Sequence, residues 1–573
     1  MTQLNRTSSA TGYSARLDSL PVEVIQAILQ YLDVQSLNAT SCVSSQLRAA
    51  ASEQLIWKQL VLSDFTFWDA VHDIRRKKHD STFHDWKDLY VVRYTANVAT
   101  HRAIQEMVND PIDRLSKARR ILDHGYGIKD ALIRLIRDAP STDFVLAQKY
   151  WAHTVLGCLN RAQALEQWTR IRFRSDVSHP TELALACLDM FILSSSADGD
   201  VDDTFRRLNS YVAAVRENHP DIDQQTPRTK AVMVAEFLRR NKWVGIDEGR
   251  DYYSIENQFL GLSVRSTHRN SLPLISAVIY CYVCRAFNIR AQPCSYPMHI
   301  HAVIQPPLST DDSAPLDLDN NPLPRNDMSQ AETPSNPSAS SETPSDLTHL
   351  YMDPFNSHTA VSLTSLTQQL SFVAPNASRT QRASYLQPAS PRSLLIRSAH
   401  NIINSVRATP FDAIRRNIST STENISIYDA AYAALFSLVM FPSTPHSLAE
   451  ALEDLRRHYA HHYIEDLRNY ENHILPLTAG LGSFGGDRGV SDPLVQIVRK
   501  EDHDEKKPKR RAERFKTEEI KFKIGTVFRH RRQNYTAVVY GWDGHCDMEE
   551  RWIVGNSVDS LPRGRGQPFY NAL

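Results

Sequence analysis

The run "PLISAVIYCYVCRAF", from Pro273 to Phe287, constrains the fold most, because it is apolar on every side of a helix. It is shorter than the roughly 20 residues that a membrane-crossing helix needs, and polar sequence follows it. A helix that is apolar all round must be buried inside a large domain. The run "YDAAYAALFSLVMF" predicts a second buried helix. A chain of 573 residues has room for several domains, and we expect no membrane partner.

Charge balance and cysteine content narrow the class of protein. Lys and Arg together number 65, as do Asp and Glu, so a protein that coats nucleic acid over its whole surface is excluded. The chain has seven cysteines, mostly inside apolar helical patterns, and this distribution is typical of a reducing compartment. We expect the cytoplasm or the nucleus. Residues 1–15 lack the apolar core of a secretory leader and are expected to be disordered.

Residues 16–65 predict three short helices with more apolar surface than so small a module can bury alone. Pro21 fits the first turn of a helix, apolar residues then recur at helical spacing, and Trp57 closes the stretch in "LIWKQL". The stretch resembles an F-box, the module that docks a substrate receptor on a Skp-type adaptor and a cullin ubiquitin ligase. The resemblance implies that the adaptor contacts are Leu20, Pro21, Val24, Ile28, Leu29, Leu32 and Trp57. The alternative is a small helical domain that packs on the rest of the chain.

Composition divides the remainder of the chain. Residues 66–180 keep a helical pattern and are predicted to be a helical linker region. Residues 306–347 replace large apolar residues with Ser, Pro, Asp and Asn, a composition that cannot offset the entropy of ordering, so a disordered insertion is predicted. Residues 478–520 are glycine-rich and then basic, and they are predicted to form a linker.

Residues 181–477 resemble a SirB1-type transglutaminase-like domain. The matching positions are Asp251, Tyr252, Tyr253, Asn257, Pro273, Pro297, His299, Asp353, Pro354 and Phe355. In that family a Cys, His and Asp triad performs nucleophilic catalysis, and the resemblance gives His299 and Asp353 the second and third roles. The nucleophile's place is taken by the segment Ser271–Leu274, so we interpret the pair as the remnant of a triad and predict that the protein is not an enzyme.

Ser271 and three cysteines in or near this segment carry a hydroxyl or a thiol that could replace the nucleophile. Ser271 stands where a helix cap is expected rather than a catalyst. Cys281 and Cys284 lie roughly 12 Å or more along the helix from its start, at 1.5 Å per residue, and are expected to be core. Cys294 is the only thiol left to test.

A metal site is not predicted. Cys281 and Cys284 form a single Cys-x-x-Cys pair, which supplies too few ligands. His299 and His301 would share one face of a strand and could hold a metal with a third ligand, but the sequence signals none. We expect a hydrogen-bonded histidine pair, no metal and no cofactor.

Residues 521–573 change to short β-type runs punctuated by glycines, which predicts a small antiparallel barrel or sheet. They resemble the YccV-like module that is named for hemimethylated DNA binding, and the barrel is expected to be incomplete because the family continues past "QPFY". The matching residues are Phe522, Ile524, Gly525, Val527, Phe528, Arg529, His530, Tyr535, Val538, Gly541, Trp542, Asp543, Trp552, Gln567, Pro568, Phe569 and Tyr570.

The same region is a candidate contact for DNA or another partner. Residues 505–532 contain twelve basic and four acidic residues, a net charge of +8, which favours phosphate contacts. The candidate contacts are Lys521, Lys523, Arg529, His530, Arg531, Arg532, Tyr535 and Trp542. Alternatively the aromatic residues fill a small core, and the run "KKPKRR" is a solvated linker or a nuclear import signal.

The sequence therefore predicts a multidomain, mainly α protein. It has an F-box three-helix module, a helical transglutaminase-like α+β domain and a small C-terminal antiparallel β-barrel. The predicted function is that of the substrate receptor in an SCF-type ubiquitin ligase, with a Skp-type adaptor, a cullin and an unknown protein substrate as partners. One alternative is a DNA or chromatin protein acting through the YccV-like module. The other is a residual hydrolase or amidotransferase.

Overall fold

The computed structural model separates into two compact units, residues 1–503 and 504–573, each described by itself. The described residues are 17, 20–138, 144–173, 179–193, 199–247, 252–306, 349–408, 425–478, 492–504, 520–531, 536–546, 548, 553 and 556–572. Residues 1–15, all of the predicted insertion except Pro306, and the run "KKPKRR" lie outside them. None of the described helices is long and apolar enough to cross a membrane.

The N-terminal module contains four short helices in its described part, so the three-helix prediction is wrong. The additional helix begins where the Ser44 hydroxyl accepts a hydrogen bond from the Leu47 amide at 3.2 Å, which is an N-cap that starts a new helix after a tight turn. The helices are Val22–Leu29, Val34–Ser41, Ser45–Ala51 and Gln54–Asp64.

Helices continue as predicted through the next part of the first unit. The α-helices are Ile74–His79, Trp86–Asn109, Arg114–Leu122, Lys129–Asp138, Val145–Phe173, Pro180–Ile192, Val201–Asn218 and Pro227–Arg240. Short 3₁₀ turns lie between some of them, at Ala70–His72, Tyr126–Ile128 and Ile222–Gln224.

The apolar run that constrains the sequence forms the helix Pro273–Ala286, and its prediction as core is confirmed. Its side chains from Pro273 to Cys284 are all buried, and the apolar ones from Leu274 onward belong to the largest apolar cluster of the first unit. The helices that pack on it are Pro180–Ile192, Val201–Asn218, Pro227–Arg240 and Leu260–Arg265. The other helices of this part of the unit are Leu363–Val373, Arg379–Tyr385, Pro391–Ala408, Ile427–Met440, Pro445–His462, Leu467–Asn469 and Leu475–Thr478, with 3₁₀ turns Ile255–Gln258 and Ile464–Asp466 and a π-turn Tyr470–Ile474.

A small antiparallel sheet follows the buried helix and packs against it. Its strands are hydrogen-bonded in chain order and are Ala291–Pro293, Ala302–Ile304, Leu350–Met352 and Ala360–Val361. In the register of the two central strands, Ala302 lies opposite Met352 and Val303 opposite Tyr351. This register sets which residues meet at the end of the sheet.

Part of the predicted linker 478–520 is a helix of the first unit, Pro493–His503. Val495 and Val498 are buried in the main core, and the Asp502 carboxylate accepts a hydrogen bond from the Leu115 amide at 2.9 Å. The linker prediction is wrong for this stretch, because its few apolar residues have helical spacing and find a partner surface.

The second unit contains a three-stranded antiparallel sheet. Its strands are Val527–Arg529, Thr536–Asp543 and Phe569–Ala572, in that order. The turns Val558–Ser560 and Gly564–Gly566 precede the last strand. The described residues form an open sheet rather than a closed barrel, so the antiparallel sheet is confirmed and the barrel stays a prediction.

The buried pair of Arg161 and Asp466 joins the helix Val145–Phe173 to the end of the helical domain. The guanidinium donates two hydrogen bonds to the carboxylate, whose side chain is 0% exposed. Asp466→Asn should lower the free energy of unfolding by about 3–5 kcal/mol, because it leaves a buried guanidinium without its counter-charge. Denaturant unfolding followed by tryptophan fluorescence measures this change.

Asp202→Asn is the matched control, because Asp202 pairs with Arg75 at a surface where both side chains are more than two-thirds exposed. We expect a change of about 0.5 kcal/mol or less from it. Equal unfolding midpoints in denaturant for the two variants would show that the buried pair contributes no more to stability than a surface pair.

Candidate functional site

The first candidate site is an exposed apolar face on the helix Val22–Leu29 and the residues that follow. Val24, Ile28 and Tyr31 are spaced i, i+4 and i+7 and so lie along one side of the helix. They are 43%, 40% and 91% exposed, whereas Ile25 and Leu29 on the other side are 0% exposed. A row of exposed apolar side chains that is rimmed by polar residues is typical of a protein interaction surface.

The predicted adaptor contacts divide between this face and the core. Pro21 is exposed with Val24 and Ile28, and Leu20 and Leu32 are half-buried against the apolar cluster. Leu29 and Trp57 are buried within it, so their prediction as adaptor contacts is wrong.

Trp57 and Leu29 stabilise the module from inside. The Trp57 indole donates a hydrogen bond to the Ala51 carbonyl at 2.9 Å, and its ring packs edge-on against Tyr90 with 5.4 Å between centroids. A partner cannot reach these side chains unless the module opens. Their role is therefore to fix the helix that presents the exposed face.

The N-terminal module also packs on the chain that follows it, as the alternative interpretation expected. Trp86, Leu89 and Tyr90 of the helix Trp86–Asn109 complete its apolar cluster. The Tyr90 hydroxyl donates to Asp64 at 2.8 Å, and burial together with that carboxylate raises the pKa of Tyr90. This packing covers the inner side of the module and leaves Val24, Ile28 and Tyr31 exposed.

The second candidate site is the histidine and aspartate pair at the end of the small sheet. Because Ala302 lies opposite Met352, the residues one step beyond them, His301 and Asp353, come together. His299 lies in the bend before the strand, so the prediction that both histidines are in the strand is wrong. Its Nε2 nevertheless lies 2.9 Å from Asp353 Oδ1, which brings together the two predicted triad residues.

Asn356 completes this group and was missed by the sequence reasoning. Its Nδ2 donates to Asp353 Oδ2 at 2.8 Å, while its backbone amide approaches Oδ1 at 3.3 Å. The only signal was its position three residues after the aspartate in "DPFN". Phe355 forms one wall, with its ring centroid 5.8 Å from that of His299.

Burial and hydrogen bonding shift the pKa values of Asp353 and His301. Burial alone would raise the pKa of Asp353, but hydrogen bonds from His299 and Asn356 and the neighbouring imidazoles hold it below its usual value. Burial lowers the pKa of His301 to about 4. Near pH 7 the site therefore contains a carboxylate beside a neutral His301 imidazole.

No thiol hydrogen-bonds to His299 in the described part of the chain. Ser271 is fully buried and its Oγ lies 2.7 Å from Ser276 Oγ, while Leu272 is the N-cap residue, so the prediction of Ser271 as the cap is wrong. Cys294 is 0% exposed in a separate cluster with Tyr296 and Tyr351. The described residues thus bring together the predicted triad histidine and aspartate without an accessible thiol hydrogen-bonded to them.

Cys281, Cys284 and Cys294 are all buried, which disfavours the reactive thiolate form. Burial raises the pKa of Cys284 to about 12 and raises those of Cys281 and Cys294 above the usual value.

The second unit exposes the predicted basic contacts that are described. Lys521, Lys523, Arg529 and Arg531 are exposed, and His530 and Trp542 are half-buried. Arg532 and Tyr535 lie outside the described residues. Trp542 lies opposite Tyr570 in the sheet, which favours a packing role for this ring.

Three family models match the chain and confirm the three resemblances. F-box-like matches residues 17–63, the transglutaminase-like superfamily matches 202–400, and "Hemimethylated DNA-binding protein YccV like" matches 520–573. The exposed face lies in the first of these domains and the His299–Asp353 pair in the second. The chain is thus a multidomain protein with F-box-like, transglutaminase-like and YccV-like domains.

Among characterised proteins, the chain is similar to F-box only protein 21. It is 42% identical to the Mus musculus protein and 39% identical to the Homo sapiens protein, over 84 residues in both cases, which are 15% of this chain and 13% of each relative. F-box only protein 15 of Bos taurus is 40% identical over 57 residues, 10% of this chain and 12% of that protein. The chain spans about an eighth of the length of these relatives, and no solved structure matches it.

Native thiol labelling tests whether a residual Cys-dependent site exists. With iodoacetamide, Cys42 should react, because it is exposed, whereas Cys281, Cys284 and Cys294 should react at least about tenfold more slowly. Peptide mass spectrometry after a short exposure measures the difference. Fast labelling of Cys294 that is lost in His299→Ala would instead reveal an activated thiol.

Proposed function

We propose that this protein is the substrate-recognition subunit of an SCF-type ubiquitin ligase. The observation that carries the proposal is the exposed apolar face of Val24, Ile28 and Tyr31 within an F-box-like domain. A Skp-type adaptor would cover this face and connect the chain to a cullin. The seven cysteines are all unpaired, which supports a place in the reducing cytoplasm or nucleus.

The size of the face suits an adaptor that holds the helix in an apolar groove. Fully burying one apolar side chain of this size contributes about 1.5–3 kcal/mol. Val24 and Ile28 begin partly buried and Tyr31 is almost fully exposed, so their further burial contributes roughly 3 kcal/mol, or about a hundredfold in affinity. Pro21 and the half-buried Leu20 border the same helix and enlarge the contact.

The proposed receptor performs no bond chemistry of its own. It would hold a protein substrate, through the transglutaminase-like or YccV-like domain, close to the charged ubiquitin-conjugating enzyme, and proximity supplies the rate gain. The buried thiols of the transglutaminase-like domain support this non-catalytic role, because the His299 and Asp353 pair has no accessible thiol beside it.

A charge placed in the exposed face should prevent docking without unfolding the chain. The double variant Val24→Glu, Ile28→Glu should reduce recovery of the Skp-type adaptor and the cullin in a pull-down at least tenfold. The reason is that an unpaired carboxylate buried in an apolar interface costs more than the roughly 1.4 kcal/mol that corresponds to a tenfold loss. Quantitative mass spectrometry of the recovered proteins provides the measurement.

Val373→Glu is the control, because Val373 is also 43% exposed but lies in the transglutaminase-like part of the chain. It should recover the adaptor as well as the wild type does. Circular dichroism of all variants checks that folding is retained. Equal recovery from the double variant and the control would refute the proposed docking face.

A second candidate function is DNA binding by the YccV-like domain, favoured by four of the exposed basic side chains described in the second unit. Lys521, Lys523, Arg529 and Arg531 lie on or beside its first strand. Backbone phosphates are the natural partners of such a group, since each neutralised phosphate releases condensed counterions.

Salt dependence tests this second function in the full chain. If the group contacts phosphates, the slope of log affinity for a DNA duplex against log salt is negative, and Lys521→Gln with Lys523→Gln makes it shallower by about 2. Fluorescence anisotropy over a salt series provides the slopes. Affinity that does not change with salt, or a slope that the double variant leaves unchanged, counts against DNA as the partner of these lysines.

A further inference from the structure

We propose that His299, His301 and Asp353 form a binding site for a divalent transition-metal ion of the zinc type. One ligand atom from each of the three residues lies within 4.8 Å of the other two. Two imidazoles and one carboxylate are a set of ligands that such ions accept in proteins. The sequence had indicated a histidine pair in need of a third ligand, and the fold supplies that ligand from another strand.

The backbone brings the three ligands together by two separate constraints. The antiparallel register fixes His301 next to Asp353 at the end of the two central strands. His299 is turned toward them by the bend that contains Met298. The backbone φ of Met298 is 64°, a left-handed conformation that residues other than glycine seldom adopt. A strained backbone position beside a polar cluster is more typical of a functional site than of a core.

The hydrogen bonds around the ligands resemble the outer sphere of a metal site. His301 Nδ1 donates to the His299 carbonyl at 3.1 Å, which leaves the lone pair on Nε2 for a ligand bond. Asn356 donates to Asp353 Oδ2 at 2.8 Å and so orients the carboxylate while Oδ1 faces His299. Outer partners of these kinds fix the direction of a ligand and strengthen its bond to a metal.

An ion would draw together three ligand atoms that now lie within 4.8 Å of one another. Bonds of about 2.0–2.1 Å at tetrahedral angles place two ligand atoms roughly 3.3 Å apart. His299 Nε2 and Asp353 Oδ1 are now 2.9 Å apart and hydrogen-bonded, and an ion would replace the proton between them, which passes to solvent or to His299 Nδ1. The His299 side chain is 27% exposed, which gives the ion a route from water.

Three protein ligands leave at least one coordination position for water or for an oxygen atom of a bound molecule. The Phe355 ring lies against His299 with 5.8 Å between centroids, and Tyr252 packs on Phe355 with 6.2 Å between centroids. The site thus has an open metal position next to an apolar wall.

Zinc binding by the full-length, chelator-treated protein tests the proposal. Calorimetric titration with Zn²⁺ should show one tight equivalent, and His301→Gln or Asp353→Asn should each weaken it at least tenfold. Asn356→Ala should weaken it about tenfold through the orientation of Asp353. The control is His461→Gln with His462→Gln, which removes an exposed histidine pair elsewhere and should leave the tight equivalent unchanged.

X-ray absorption of the wild-type zinc complex provides a measurement that does not depend on the folding of variants. Scattering from two imidazoles in the first coordination sphere is the expected result. The proposal is overturned by the absence of a tight equivalent, by fewer than two imidazoles around the zinc, or by wild-type affinity in the folded variant His301→Gln. In those cases His299 and Asp353 form only a hydrogen-bonded pair.

Discussion

The complete burial of the helix Pro273–Ala286 is the constraint on which the larger unit depends. A helix that is apolar on every side has to be surrounded, and the surrounding helices and the small sheet are arranged by that need. The sheet begins directly after this helix and packs on it. The positions of His299, His301 and Asp353 at the end of the sheet therefore follow from the same burial.

The first helix of the N-terminal module is buried on one side only, because no described residue covers its other side. Ile25 and Leu29 supply the apolar contacts that hold the helix to the module. Val24, Ile28 and Tyr31 lie outside that core and keep a large part of their apolar surface in water, which costs free energy in the isolated chain. A binding partner that removes this surface from water gains the corresponding free energy, and this is the physical basis of the proposed docking.

Helical periodicity in the sequence predicted the existence of most elements and the burial of Cys281 and Cys284. It could not tell which apolar residues of the first module face its own core, because spacing defines a face and not what covers it. Leu29 and Trp57 were misassigned for that reason. The additional helix starting after Ser44 was missed because its cap is a local hydrogen bond rather than an apolar pattern.

The candidate metal ligands show a different limit of sequence reasoning. His299 and Asp353 are 54 positions apart, and their proximity to His301 depends on the strand register, which a single sequence does not determine. The helix Pro493–His503 was hidden by its glycine-rich and basic neighbours. In both cases the structure depends on a tertiary contact, and the local sequence does not show which residues make that contact.

Hydrogen exchange of the full chain, with and without a purified Skp-type adaptor, tests the docking account most directly. If this face docks the adaptor, the adaptor slows amide exchange in residues 21–31 more than in any other described part of the first unit. Unchanged exchange in residues 21–31 with the adaptor bound, or protection confined to another surface, would contradict it.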